Sequence, residues 1–164
     1  MTIWLARRIM AEMEALASSS FPLETGGILL GWRDGNDRIV TGLIGPGPRA
    51  LHGRHMLLPD GVWQRAQLRA IFDATGGDLD YLGDWHTHPD GLAAMSEIDK
   101  RTLSKIERRV KAPLMAILAG AETGWDRGAW LGCRSGYFGR FAITAQETKI
   151  FDPPSGWPVI MEAA

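Results

Sequence analysis

Two histidines separated by one residue, in Asp84-Trp85-His86-Thr87-His88-Pro89, are the part of this chain best suited to hold a metal ion. On an extended strand, side chains at i and i+2 leave the same face, so both imidazoles can reach one ion. Pro89 ends such a strand, which leaves the pair at an edge where a loop can open to solvent. The loop Pro89 to Met95 follows, and then Ser96-Glu97-Ile98-Asp99. An aspartate in the first turn of a helix can swing its carboxylate back to the histidines. Two nitrogens and one oxygen then bind, with a fourth tetrahedral position left for water, which is a catalytic rather than a structural zinc pattern.

Each piece has a plainer reading. Ser96-x-x-Asp99 also fits a helix capping box with Asp in place of Glu, and the two roles are compatible. Asp84 alternates onto the face of His86 and His88, so it competes with Asp99 as third ligand or orients an imidazole from behind. His52 and His55 have no comparable context and are assigned to structure. Glu24 precedes Thr25-Gly26-Gly27-Ile28-Leu29-Leu30-Gly31; on spacing alone it is a solvated charge at a strand start.

The elements that must position these residues follow from periodicity. Leu5, Ile9, Met13 and Leu16 recur at helical spacing until Ser18-Ser19-Ser20-Phe21-Pro22, so the opening element reads as an amphipathic helix. Gly27 to Trp32 and Arg38 to Ile44 flank Asp34-Gly35-Asn36-Asp37, a β-hairpin pattern. Gly45-Pro46-Gly47-Pro48 breaks it, His55 to Leu58 reads as a short strand, and Asp60 caps a helix carrying Val62, Leu68, Ile71 and Phe72. Gly76-Gly77 ends that helix. A strand from Leu79 to about Thr87 leads into the histidine pair, and a helix from Ser96 to Val110 stops before Pro113. Leu114 to Leu118, Ala129 to Cys133 and Tyr137 to Ile143 read as further strands, with an irregular tail from about residue 147 that includes Asp152-Pro153-Pro154-Ser155-Gly156. Helices interspersed with strands and hairpins indicate a mixed α/β domain with one central sheet.

Composition narrows the function classes. With 164 residues, 45% apolar and 23% charged, the chain suits one soluble domain with a core of its own. A formal charge of −1 gives no basic footprint for nucleic acid or an anionic membrane. The single Cys133 excludes an internal disulfide and a Cys-based zinc site, which favours the cytosol, and it reads as a small buried hydrophobe. No stretch reaches the length of a membrane span. Trp63, Trp85, Trp125, Trp130 and Trp157 are read mostly as core.

Taken together, Glu24 within Glu-Thr-Gly-Gly-Ile-Leu-Leu-Gly, then His86-Thr87-His88-Pro89, then Ser96-x-x-Asp99, resembles the JAMM metalloproteases, the catalytically competent branch of the MPN domain family. The resemblance implies a single MPN-type α/β domain over residues 1–164, cytidine-deaminase-like, with a central mixed sheet flanked by helices. It implies zinc held by His86, His88 and Asp99, Glu24 as general base, and Ser96 holding the oxyanion or the attacking water. The reaction it implies is hydrolysis of a peptide or isopeptide bond after the C-terminal glycine of a ubiquitin-like protein. The short chain is similar to bacterial members that accompany ubiquitin-like activating and conjugating enzymes. Some of these remove a conjugated nucleotidyltransferase from its targets in antiviral defence. A sulfur-carrier processing peptidase and a non-catalytic MPN scaffold are the alternatives. The long insertions that choose ubiquitin linkages in eukaryotic relatives have no counterpart here.

Overall fold

A strand, not a helix, opens the chain. In the computed structural model, which describes residues 1–121, 124–135 and 139–161, β1 (Thr2–Ala6) precedes α1 (Arg7–Ser20). Helical spacing carried the reading back through Leu5. Thr2-Ile3-Trp4-Leu5 is nevertheless β-branched and aromatic, and it is extended because both of its sides find strand partners. Next, β2 (Gly26–Asp34) and β3 (Asp37–Ile44) form the expected hairpin, closed where Gly35 takes the left-handed backbone at φ 54°. A small separate hairpin follows, β4 (Leu51–Gly53) with β5 (Met56–Leu58); only its second strand was legible in the sequence.

Asp60 caps α2 (Gly61–Ala74), its carboxylate accepting from the Trp63 N–H. Val62 and Phe72, expected on that helix's apolar side, are exposed, whereas Leu68 and Ile71 pack inward. The strand β6 (Asp80–Pro89) bears the histidine pair and leads to α3 (Glu97–Glu107), shorter at its end than its periodicity suggested. The chain then runs through β7 (Leu114–Ala121), β8 (Gly124–Ser135), β9 (Arg140–Ala145) and β10 (Glu147–Phe151). Tyr137, expected to begin a strand, lies outside the described residues. The stretch from 147, expected to be irregular, begins as β10, which pairs in parallel with β1, so the two ends of the chain stabilise each other's strands.

The main sheet is mixed, in the order β10-β1-β3-β2-β6-β7-β8-β9. Against one face, Ile9, Met13 and Ala17 of α1 meet Leu29, Leu82, Trp85 and Leu114. On the other face α2 covers Ile28, Leu30 and Ile44, and Leu103 of α3 covers Met115 and Ile117. The floor between α2 and α3 is β6. A register shift beside Leu29 and Leu30 leaves Leu82 out of the β2–β6 pairing. That irregularity turns Tyr81 onto the same face as Asp84, where its hydroxyl donates to the carboxylate. Of the tryptophans weighed from sequence, Trp85 is fully buried while Trp157 is 40% exposed, and Cys133 is half-buried. Among the described residues no helix is long and apolar enough to cross a membrane.

Candidate metal centre and its cleft

The i, i+2 geometry of β6 and the first turn of α3 bring three donor atoms together. His86 Nε2 lies 3.0 Å from His88 Nε2 and 3.2 Å from Asp99 Oδ1, and His88 Nε2 lies 3.5 Å from Asp99 Oδ2. A tetrahedral zinc with ligands at its usual distances separates them by roughly 3.3 Å, so the cluster is the right size for such an ion. The donor chemistry agrees. His88 Nδ1–H donates to the Leu92 carbonyl at 3.2 Å, so a ring that gives up its Nε2 proton to an incoming ion turns an Nε2 lone pair to the cluster. Lone pairs and a carboxylate converging on one point call for a cation.

Ser96 and Asp99 form the capping box, and Asp99 is at the same time placed beside the two histidines. The Ser96 Oγ accepts from the Asp99 N–H at 3.2 Å, and Asp99 Oδ2 accepts from the Ser96 N–H at 2.7 Å. This capping box holds the carboxylate in place before any ion binds. Burial alone would push the Asp99 carboxyl up, but hydrogen bonds from His86, His88 and Ser96 outweigh it and hold Asp99 well below the usual carboxylate range. The hydrogen bond to Asp99 in turn raises His88. Asp84 is not part of the cluster: the bond to its Oδ1 comes from the Tyr81 hydroxyl at 2.8 Å, and burial pushes its carboxyl up.

Glu24 arrives from elsewhere in the chain. It sits just before β2, where Gly26 pairs with His86 and Gly27 with Trp85. A side chain at Gly26 would collide with the Trp85 carbonyl and come within 2.8 Å of His86 Cα, so only glycine lets the two strands approach this closely. The Thr87 N–H donates to the Thr25 carbonyl at 2.8 Å, and the Thr25 N–H donates to Thr87 Oγ1 at 2.9 Å. On its other side the Glu24 N–H donates to the Gly53 carbonyl and His52 Nδ1–H to the Glu24 carbonyl, both at 2.8 Å. Burial raises the Glu24 carboxyl above the ordinary glutamate value, against the pull of His86 and His88.

Glu24, His86, His88, Ser96 and Asp99 all line one cavity of about 850 Å³. Sequence reasoning left out Arg54 and assigned His55 to structure. His55 and Arg54, at the turn of the β4–β5 hairpin, also line the cavity, and His55 is close enough to Glu24 to favour its charged form. No local signal marks either residue, because the hairpin's place is set by tertiary contacts. His52 has the structural role assigned to it.

The chain is similar to known proteins. The family profile described as prokaryotic homologs of the JAB domain matches residues 6–131. A protein of Sinorhizobium fredii described as "probable metalloprotease y4qB" is 34% identical over 136 residues, 79% of this chain and 83% of its own. A protein of Escherichia coli described as a "CD-NTase/cGAS isopeptidase" is 34% identical over 76 residues, about half of either chain at 46% and 49%. A Pseudomonas aeruginosa protein of the same description is 28% identical over 105 residues, 63% of this chain and 66% of its own. In fold, the solution structure of a Desulfitobacterium hafniense protein superposes with a TM-score of 0.66 at 23% identity, covering 94% of this chain and 96% of the other.

Proposed function

The chain belongs to the family of prokaryotic JAB-domain homologs and is a JAMM-type hydrolase, and on that premise we propose that it is a zinc isopeptidase, acting in the cytoplasm as a single domain over residues 1–164. Its substrate in this reading is a protein conjugated through a C-terminal glycine, of the kind that the nucleotidyltransferase-directed relatives are named for. Ubiquitin-like activating and conjugating enzymes are the partners that would build such a conjugate. The observation that carries the proposal is the convergence of all five motif residues on one cavity.

His86, His88 and Asp99 would hold the ion. Zinc, when bound there, supplies a Lewis acid that polarises the scissile carbonyl and makes water more acidic. Glu24 then does the proton work. It takes a proton from the attacking water as the new C–O bond forms, and returns it to the departing amine nitrogen as the C–N bond breaks. Its burial suits that return step, because a desolvated carboxyl holds a proton more readily than an exposed one. Ser96 Oγ accepts from the Asp99 N–H, and its hydroxyl can turn to donate to the carbonyl oxygen as that oxygen gains charge. Among the described residues β5 pairs only with β4, which leaves an edge along which an extended glycine tail can lie.

Glu24→Gln tests the assignment. With zinc content unchanged, cleavage of a nucleotidyltransferase fused through its terminal glycine should fall by roughly two to four orders of magnitude. Full activity in this variant would remove Glu24 from the mechanism, and a protein that binds but cleaves none of a panel of glycine-ended fusions, sulfur-carrier proteins included, would be a scaffold instead.

A further inference from the structure

The cavity continues beyond the five motif residues, over the floor of β6 toward α2. Asp84 and Gln64 line that deeper part, together with Ile28, Leu57, Pro59 and Met115. In the sheet register, Asp84 is flanked by Ile28 of β2 and Met115 of β7, so its carboxylate rises from an apolar floor. Asp84 Oδ1 accepts from Tyr81, but among the described residues no donor reaches Oδ2. Gln64 is only 6% exposed. Its Nε2 donates to the Gly45 carbonyl at 2.8 Å, which fixes the amide's orientation, and among the described residues no donor reaches Oε1. Neither oxygen is sealed away from solvent as an enclosed orphan. Two acceptors held in place by their neighbours, open to solvent and set in apolar walls, are positioned so that a ligand's donors can take the place of water there.

We propose that this deep end is a subsite for a cationic side chain of the substrate, a lysine or arginine whose apolar stem lies on Ile28, Leu57 and Met115 and whose head donates to Asp84 Oδ2 and Gln64 Oε1. The inference rests on the hydrolase reading, and makes Asp84 and Gln64 specificity determinants of that reaction. Asp84 stands two residues from His86 on one strand face, about 7 Å away. The recognised residue therefore neighbours the scissile bond. It is not the acylated lysine itself, whose nitrogen carries no charge.

The test uses the zinc-loaded Glu24→Gln protein, so that bound peptides persist. The probes are peptides ending in Gly-Gly joined by an isopeptide bond to a second peptide, each flanking position in turn Lys, Arg, norleucine or Glu, with binding read by fluorescence anisotropy. At one position, Lys or Arg should bind about tenfold or more tighter than norleucine, as expected of a charge-assisted hydrogen bond. Adding Asp84→Asn, which can still accept from Tyr81, should reduce that ratio to below about twofold, and Gln64→Met should lower it with zinc content and circular dichroism unchanged. A ratio near one at every position, no measurable binding of any peptide, or a ratio that survives Asp84→Asn overturns the subsite. Incubating the same peptides with the Glu24-intact protein separates the two claims. Cleavage with a flat ratio sinks the subsite alone, whereas a strong ratio without cleavage sinks the isopeptidase reading and leaves a cation-binding site with no part in the specificity of that reaction.

Discussion

The two walls of the cavity are assembled by different means. His86, His88 and Asp99 come from one continuous stretch, a strand end, a loop and a helix start, and the Ser96–Asp99 capping box fixes the carboxylate within that stretch. Glu24 stands opposite by long-range closure, its peptide clamped between Thr87 of β6 and the β4–β5 hairpin. The ligand wall should therefore keep its shape when distant parts loosen, and the Glu24 wall should not. Variants can break each wall separately.

The largest effect belongs to the ligand wall. In Asp99→Ala metal affinity should fall by more than the roughly 10–100-fold that losing an outer partner costs, with activity lost alongside. Metal analysis after gel filtration reads the first and cleavage of a glycine-linked fusion the second. The fold should survive, with only the capping contribution of about 1 kcal/mol missing from a urea titration. A chelator should likewise abolish activity before the circular dichroism changes. Unfolding on metal removal would instead make the ion a structural one.

The seam between the walls comes next. Thr87→Val removes the acceptor for the Thr25 N–H, which stays buried without a partner. Unfolding in urea should report a loss of about 1–3 kcal/mol, with metal stoichiometry retained. The outer clamp is worth less. His52→Ala deletes one hydrogen bond to the Glu24 carbonyl, about 1 kcal/mol, and should lower kcat/KM roughly fivefold with zinc content unchanged. A larger drop in zinc than in kcat/KM would show that the walls are not independent.

The same contrast explains what could be read from the sequence. The ligand wall is local, so strand alternation, a proline stop and a first-turn aspartate suffice to nominate His86, His88 and Asp99. The hairpin of β2 and β3, the Asp60 cap and the strand leading to the histidines are legible for the same reason. Glu24 is not, because its approach to β6 depends on Gly26 lying against Trp85 and His86, and its identification came through family resemblance. The pairing of β1 with β10 joins opposite ends of the chain, so Thr2–Ala6 was absorbed into the neighbouring helix and Glu147–Phe151 into a tail. In β4, Leu51-His52-Gly53 is too short to alternate visibly, and with it the cavity wall bearing Arg54 and His55 was missed.

The smallest predicted effect concerns how the Glu24 wall is anchored. The segment carrying β4 and β5 is closed at its base by Asp60, whose N–H donates to the Pro46 carbonyl at 2.8 Å and whose carboxylate accepts from Arg49 Nε at 3.0 Å and from the Trp63 N–H at 3.2 Å. The Arg49 hydrogen bond, followed by that from Trp63, holds the Asp60 carboxyl below the ordinary aspartate value. Because the folded-state value is the lower of the two, the stability this group adds is fully present above the unfolded value of about 3.9. It is lost as pH falls through the folded-state value, when Asp60 takes up a proton and both hydrogen bonds to it weaken. In Asp60→Asn that acid-dependent component should vanish from the difference in urea midpoint between pH 7 and pH 3, while the rest of the acid response remains. Amide exchange should locate the loosening in residues 46–60 and at Glu24, with the loop from Pro89 to Asp99 unchanged. Equal loosening of both regions would mean that the walls are one cooperative unit, and the clamp on Glu24 would then have to be sought in the sheet instead of the hairpin.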